Sequence, residues 1–404
     1  MRASKKAYVV GTCDTKYQDL VFVRDLIESS GVETVLVDVG TTPHKYQVDI
    51  TAATVASFHP SRKDLLTSNQ GRGDAVTAIS EALTHYLSGL DNIAGVIGLG
   101  GSGGTALITR AMRALPVGIP KVMVSTVASG NIEPYVGVTD IMMVYSITDI
   151  SGINRISHTI LSNAAHAVSG MARQGIPEYT ADKPALGLTM FGVTTACVNS
   201  IQKDLKDSFD CLVFHATGTG GRSMEKLVDS GFIKYIIDVT TTEIADLIAG
   251  GVMSAGEDRM GAVIRQKLPY VGSLGAMDMV NFGSIDTVPE QYRSRRLYQH
   301  NAQVTLMRTS VEENVKMGLW LAGKLNQMEA EVRLLIPEKG VSMLSVEGQY
   351  FYHPEADRAL FETLEAEVKQ HENRRLVRLP FAINQPEFSS ALVAAFKEIN
   401  NIEL

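Results

Sequence analysis

An eight-residue stretch, Gly98-Leu99-Gly100-Gly101-Ser102-Gly103-Gly104-Thr105, joins an apolar run, Ile93 to Ile97, to a helix-periodic run, Ala106 to Leu115. A strand that ends in glycines and opens at once into a helix points to a parallel sheet, where the helix is the crossover that carries the chain to its next strand. The junction leaves backbone N–H groups bare at the positive end of the helix dipole, and glycine lets an anion approach them closely. Gly98, Gly100, Gly101, Ser102, Gly103, Gly104 and Thr105 are therefore read as a phosphate cradle, with a flexible surface loop as the plainer alternative. Glycine is expected there for close approach and for a positive φ.

Two phosphate-loop patterns are each met in part. The spacing G-x-G-x-x-G is present, but no acid stands near Ser125, about twenty residues on, to hold a ribose hydroxyl, which weighs against a dinucleotide. The pattern G-x-x-x-x-G-K-[ST] is met except that Gly104 takes the lysine's place, so a cation for the phosphates must come from elsewhere in the chain.

A chain of 404 residues has room for two or three domains, each with its own core. A net charge of −7 without a basic stripe makes nucleic acid an unexpected partner. Cys13, Cys197 and Cys211 show no C-x-x-C spacing, so neither a disulfide framework nor a zinc site is indicated. No apolar run reaches membrane-spanning length and the N-terminal one is too short for a signal segment, so a cytoplasmic protein is expected.

Taken in order, Ala7 to Val10 reads as a strand, Gly11-Thr12-Cys13-Asp14-Thr15-Lys16 as a polar turn, and Leu20 to Ile27 as a helix. Asp14 or Thr15 suits a helix cap. Lys16, set against the dipole in a first turn, is read as the cation missing at Gly104, the alternative being a solvated surface lysine. Glu33 to Val39 is a strand, Pro60 to Gly73 a loop, Asp74 to Leu87 a helix and Ile119 to Val124 a strand. The stretch after it carries Ser125, Thr126 and Gly130, a third strand end dressed in small polar residues, which places a ligand pocket at the carboxyl ends of the strands. Asp140 to Ser146 and Ile153 to Ala172 complete this half as strand and helix.

Arg173 to Pro184 holds prolines, a glycine and charges without apolar period, and is placed as the boundary between domains 1–176 and 184–404. The plan then repeats: strand Ala185 to Met190, helix through Leu205, strand Cys211 to His215, and a second glycine turn, Gly218-Thr219-Gly220-Gly221-Arg222. Arg222 is read as a carboxylate or phosphate partner. Tyr235 to Val239 is a strand running into Thr240-Thr241-Thr242-Glu243, which resembles a capping box. Asp278 is the lone charge in the apolar, glycine-rich stretch Gly272 to Gly283, either satisfied by backbone N–H groups or poised as acid, base or metal ligand. Ser310 to Glu313 is a capping box before a helix through Leu325, and strands Val332 to Ile336 and Arg375 to Leu379 alternate with helices Glu355 to Lys369 and Glu387 to Ile399. The expected fold is α/β, with two Rossmann-like subdomains of mainly parallel sheets facing across a cleft.

Five segments carry a resemblance in one order: Gly11 to Lys16, Gly98 to Thr105, Gly218 to Gly221, Gly275-Ala276-Met277-Asp278, and Arg308 to Asn326. Together they resemble the uncharacterised family that includes the N-terminal part of the tomato mosaic virus resistance protein, over essentially the whole chain. Ala382 and Gln385 depart from it, standing where the family pattern has histidine and aspartate. The resemblance implies two α/β subdomains, ATP bound in the N-terminal one, and a homodimer. Two functions are open. One is an enzyme that uses ATP with Mg²⁺ on a small acidic metabolite, with Lys16 at the phosphates, Asp14 near the magnesium, and Arg222 or Asp278 facing the substrate. The other is a nucleotide-controlled module that binds a protein partner without turnover.

Overall fold

The computed structural model describes residues 5–61, 72–177 and 183–402, the side chains of 72 and 73 excepted. Most of the expected loop Pro60 to Gly73, and residues 178–182 of the expected boundary, lie outside the described residues. The chain divides into two compact units, Met1–Tyr179 and Thr180–Leu404. Among the described residues no helix is long and apolar enough to cross a membrane.

Unit 1 runs β1 (Lys6–Gly11), α1 (Cys13–Ser29), β2 (Thr34–Asp38), α2 (Ala52–Ala56), α3 (Arg72–Ser88), β3 (Ile93–Gly100), α4 (Ser102–Ala114), β4 (Lys121–Ser125), α5 (Glu133–Val136), β5 (Met142–Tyr145) and α6 (Arg155–Gln174). Its five strands form one parallel sheet in the order β2-β1-β3-β4-β5. Because successive strand residues face opposite ways, Tyr8 and Val10 pack with α3 and α4 while Ala7 and Val9 pack with α1 and α6. The sheet is thus covered on both faces, which is why its strands read as unbroken apolar runs.

Unit 2 runs β6 (Ala185–Met190), α7 (Thr195–Leu205), β7 (Asp210–His215), α8 (Thr219–Asp229), β8 (Tyr235–Thr240), α9 (Glu243–Ala249), α10 (Gly261–Gln266), β9 (Tyr270–Gly275), β10 (Met279–Phe282), β11 (Leu297–Asn301), β12 (Val304–Arg308), α11 (Val311–Gln327), β13 (Val332–Pro337), α12 (Pro354–Glu367), β14 (Arg374–Leu379) and α13 (Pro386–Asn400). A six-stranded parallel sheet has the order β14-β13-β9-β8-β6-β7. Helices α7 and α13 cover one face, and α8 to α12 the other. In both units the first strand is flanked by the second on one side and the third on the other, so the repeated plan seen in the sequence is a repeated topology.

The α/β class with parallel sheets is as expected, with one addition. A small antiparallel sheet, β10-β12-β11, leaves the main sheet of unit 2 at a tight turn after Gly275, where Ala276 takes φ 56°. Its edge strand β11 exposes four of its five residues and so carries no apolar period to announce it. The capping box at Ser310 and Glu313 is present. The one expected at Thr240 to Glu243 is not. Thr242 makes no capping bond, and Glu243 turns away to a buried task described below.

Candidate functional site

In unit 1 the strand order reverses between β1 and β3, the place where open parallel sheets bind ligands, because neighbouring loops diverge there. Val10 pairs with Gly98, and Gly100 with Ser125, so the carboxyl ends of β1, β3 and β4 lie side by side. The structure thereby brings Gly11 and Thr12, the stretch Gly98 to Thr105, and Ser125 and Thr126 to one edge.

The glycines there have unequal reasons. A Cβ on Gly98 would stand 2.7 Å from Ile108, and one on Gly100 2.8 Å from the backbone of Gly104 and Thr105, so packing excludes side chains at both. At Gly103 a Cβ would meet nothing within 4 Å, at Gly104 only the Leu99 carbonyl at 3.8 Å, and at Gly101 only the Thr126 hydroxyl at 3.8 Å. None of the five takes a positive φ, which corrects that part of the expectation: helical and extended backbone suffices for the turn. Gly101 is the N-cap of α4 and offers no side-chain acceptor. The N–H groups of Ser102, Gly103 and Gly104 therefore have no carbonyl one turn back to bond. Thr105 and Ser125 do not face the opening, since their hydroxyls bond each other at 2.6 Å in the interior. Gly130 closes an exposed turn on the Val127 carbonyl.

At the end of β1, Thr12 caps α1 without a side-chain bond, and its hydroxyl meets that of Thr15 at 2.8 Å. The N–H of Cys13 donates instead to Asp38 Oδ1 at 3.0 Å. That oxygen also accepts from Gly40 N at 2.8 Å, while Oδ2 bonds His44 Nε2 at 2.9 Å. Burial, then the nearby Asp38 carboxylate, pushes the Cys13 thiol up and away from the reactive thiolate. Asp14 accepts from Thr42 N at 3.2 Å through Oδ2, whereas its Oδ1 is buried and bonds nothing among the described residues. A Cβ on Gly40 would lie 3.0 Å from Oδ1 of both Asp14 and Asp38, so two carboxylates converge on that point. Lys16 breaks the helical φ/ψ of α1 at −130° and 19° and donates to the Ile150 carbonyl at 2.5 Å. Its charge also lies near Asp19. One of the three ammonium N–H groups is thus engaged on the segment that follows β5.

The second glycine turn is built differently. Gly218 has φ 81°, and a Cβ there would stand 2.6 Å from the Ser254 carbonyl. A Cβ on Gly220 would overlap the His215 carbonyl, and one on Gly221 the Glu243 carboxylate. Glu243 Oε1 accepts from Gly218 N at 2.8 Å and Gly221 N at 3.0 Å, so the anion at the start of α8 is the protein's own. Arg222 returns its Nε to the Gly218 carbonyl at 3.4 Å. Behind this turn lies a fully interior guanidinium, Arg259, bonded to Glu243 and Asp238 at 2.8 Å and to Glu225 at 3.3 Å. Tyr270 and Thr189 hydroxyls donate to the two oxygens of Asp238 at 3.0 and 2.6 Å.

Asp278 is wholly buried after β9, separated from the β7 end by β6 and β8, so the two expected substrate residues of this unit are not brought together. Its Oδ2 accepts from the Ser342 hydroxyl at 2.8 Å, and its Oδ1 has no partner among the described residues. Burial raises its carboxyl to about 6, against the pull of Arg308. Sequence reasoning passed over Asp38, Asp238 and Arg259, and gave Glu243 only a capping role. The first two left a trace, a single carboxylate within or closing an apolar strand run, whereas nothing in the letters around Arg259 marks it as interior. Among the described residues no group of three histidine, cysteine or acidic side chains is placed to hold a metal.

Residues 5–177 match the model of the N-terminal domain, and residues 183–400 that of the C-terminal domain, of the uncharacterised protein family UPF0261. A UPF0261 protein of Rhizobium meliloti (strain 1021) is 54% identical over 397 residues, covering 98% of this chain and all of the relative. One from Clostridium tetani is 47% identical over 405 residues, covering 99% of this chain and all of the relative. The ToMV resistance protein Tm-1(GCR237) of Solanum lycopersicum is 42% identical over 428 residues, which span 98% of this chain but 56% of the tomato protein. With both halves matched by one family and whole-length relatives well above 30% identity, the chain belongs to the UPF0261 family.

Proposed function

We propose that unit 1 binds ATP, with the phosphates on the N–H groups of Ser102, Gly103 and Gly104. The observation that carries this reading is the row of glycines at Gly101, Gly103 and Gly104, whose missing side chains no atom of the described residues requires, set over an uncapped helix at the reversal of strand order. A bound anion gives a reason for keeping them bare. The unpartnered Oδ1 of Asp14 fits a cation such as Mg²⁺, which would add to the positive charge of Lys16, whose ammonium keeps two N–H donors beyond its bond to Ile150. Lys16 also holds the Ile150 segment, and the phosphates are neutralised by the ion, this ammonium and the helix dipole.

The reading tests cleanly at Gly103, where valine meets open space. Gly103→Val should keep the melting temperature of the parent and lose ATP affinity by about tenfold or more, as calorimetry would read it. Undiminished affinity in the folded variant overturns the proposal. We take ATP to serve a reaction on a small acidic metabolite in a homodimeric, cytoplasmic protein. The second reading is binding of a protein partner without turnover, favoured by the relative whose name is a virus resistance protein. Turnover that requires an added small acid supports the first reading; tight binding with no turnover over a panel of acids supports the second.

A further inference from the structure

A hollow of about 560 Å³ lies in unit 2 beyond the carboxyl ends of β13 and β14, walled by the connection 338–353 and the start of α12. Neither the glycine turn nor Asp278 belongs to it. Connections of this length without secondary structure are uncommon in a compact domain unless they serve a site. This one is firmly built. Ser345 Oγ accepts from the N–H groups of Val341 and Ser342 at 2.9 and 3.0 Å, and Gly340 takes φ 134° to make the turn.

Its charges sort into paired and unpaired. Arg378 is bonded to Glu338 and Glu365, and Asp357 to Arg308. Lys339 and Arg358 line the same hollow and have no ion-pair or side-chain hydrogen-bond partner among the described residues, and Glu347 is the one further carboxylate on the wall. Two free cations therefore face one free acid, while Arg378 is shared between two acids, so the positive charge of the hollow is local to Lys339 and Arg358.

The loop's backbone narrows the ligand further. The N–H groups of Glu338, Lys339, Gly340, Met343 and Ser345 donate to carbonyls, and those of Val341, Ser342 and Leu344 to serine hydroxyls. No amide of 338–345 is left to cradle a phosphate, in contrast to the start of α4, so along that part of the wall an anion is gripped by side chains. Lys339 and Arg358 suit a carboxylate, while Glu347 and the hydroxyl of Tyr352 suit hydroxyl groups.

We propose that this hollow binds a small polyhydroxylated carboxylate, with Lys339 and Arg358 on its carboxylate and Glu347 and Tyr352 on its hydroxyls. The site uses unit 2 only and stands whether or not unit 1 binds ATP. The experiment is calorimetry on the full chain with glycerate, gluconate and galactarate, and with the neutral polyol glucitol and inorganic phosphate as controls. At least one of the acids should bind while glucitol and phosphate do not. Lys339→Met with Arg358→Met should weaken that acid by about tenfold or more. Both side chains are exposed, so the melting temperature without ligand should not move; Arg358→Gln alone gives a milder second variant. Gly103→Val should bind the acid as the parent does, so failure of this site and failure of the nucleotide reading are told apart. The proposal is overturned if none of the three acids binds, if the double variant binds unchanged, or if phosphate competes as well as the acid.

Discussion

Arg259 is held by Asp238, Glu243 and Glu225 in a space closed to water, and the guanidinium is the side chain able to fork toward three carboxylates at once. Asp238 faces Arg259 because strand alternation sends Ile237 and Val239 to the α7 and α13 side and Asp238 to the other. Taking away the cation leaves three interior acids without compensation, a cost larger than the pairing itself contributes. Arg259→Met should lower the stability of unit 2 by about 3–5 kcal/mol, read as a drop in its urea midpoint. Arg259→Lys should recover little of it, because a point charge cannot reach all three partners. A midpoint within error of the parent would show that the cluster relaxes or takes up protons instead.

At the scale of elements, two strand–glycine–helix junctions that look alike as letters do opposite things. The one opening α4 presents uncapped N–H groups, whereas the one opening α8 is closed by Glu243 from the first turn of α9. The glycines accordingly answer to different forces, open space at Gly103 and backbone contact at Gly220. Gly220→Ala should cost unit 2 about 3 kcal/mol or more, since the methyl would have to displace the His215 carbonyl at the end of β7. Circular dichroism melts of Gly220→Ala and Gly103→Val side by side check this, and equal melting temperatures would refute the distinction. Most strands and helices of the two parallel sheets were legible from period and turn residues, whereas β9 to β12 and the short helices α2, α5 and α10 were not. The contents of the turns were not, because a carboxylate twenty-two positions beyond Gly221 decides which of them is free.

For the molecule as a whole, stability should depend on pH through acids that the fold buries. Burial raises the Asp246 carboxyl from 3.8 to about 7, and Asp278 to about 6. Each is thus a group whose proton the folded chain holds more tightly than the unfolded one. Their contribution is full below the ordinary carboxylate value and is lost as pH rises through about 6 for Asp278 and about 7 for Asp246, at up to about 1.4 kcal/mol per pH unit for each. Asp246→Asn removes one of the two, so the variant should gain on the parent steadily between about pH 4 and about pH 7 and level off above that. Urea midpoints for the unit 2 transition measure the gap, and a constant gap would mean that Asp246 does not titrate in that range.

By itself the sequence determined the class of the fold, because hydrophobic period and glycine or proline punctuation are local properties that survive in any arrangement of the elements. It also marked the Gly98 to Thr105 junction, since the chemistry of a bare helix start is written in consecutive residues. Tertiary structure alone decided that Lys16 bonds Ile150, that Glu243 fills the second glycine turn, that Arg259 is interior, and that Lys339 and Arg358 share a hollow. Each of those rests on partners far apart in the chain, where strand order and register, not neighbouring letters, set the distance.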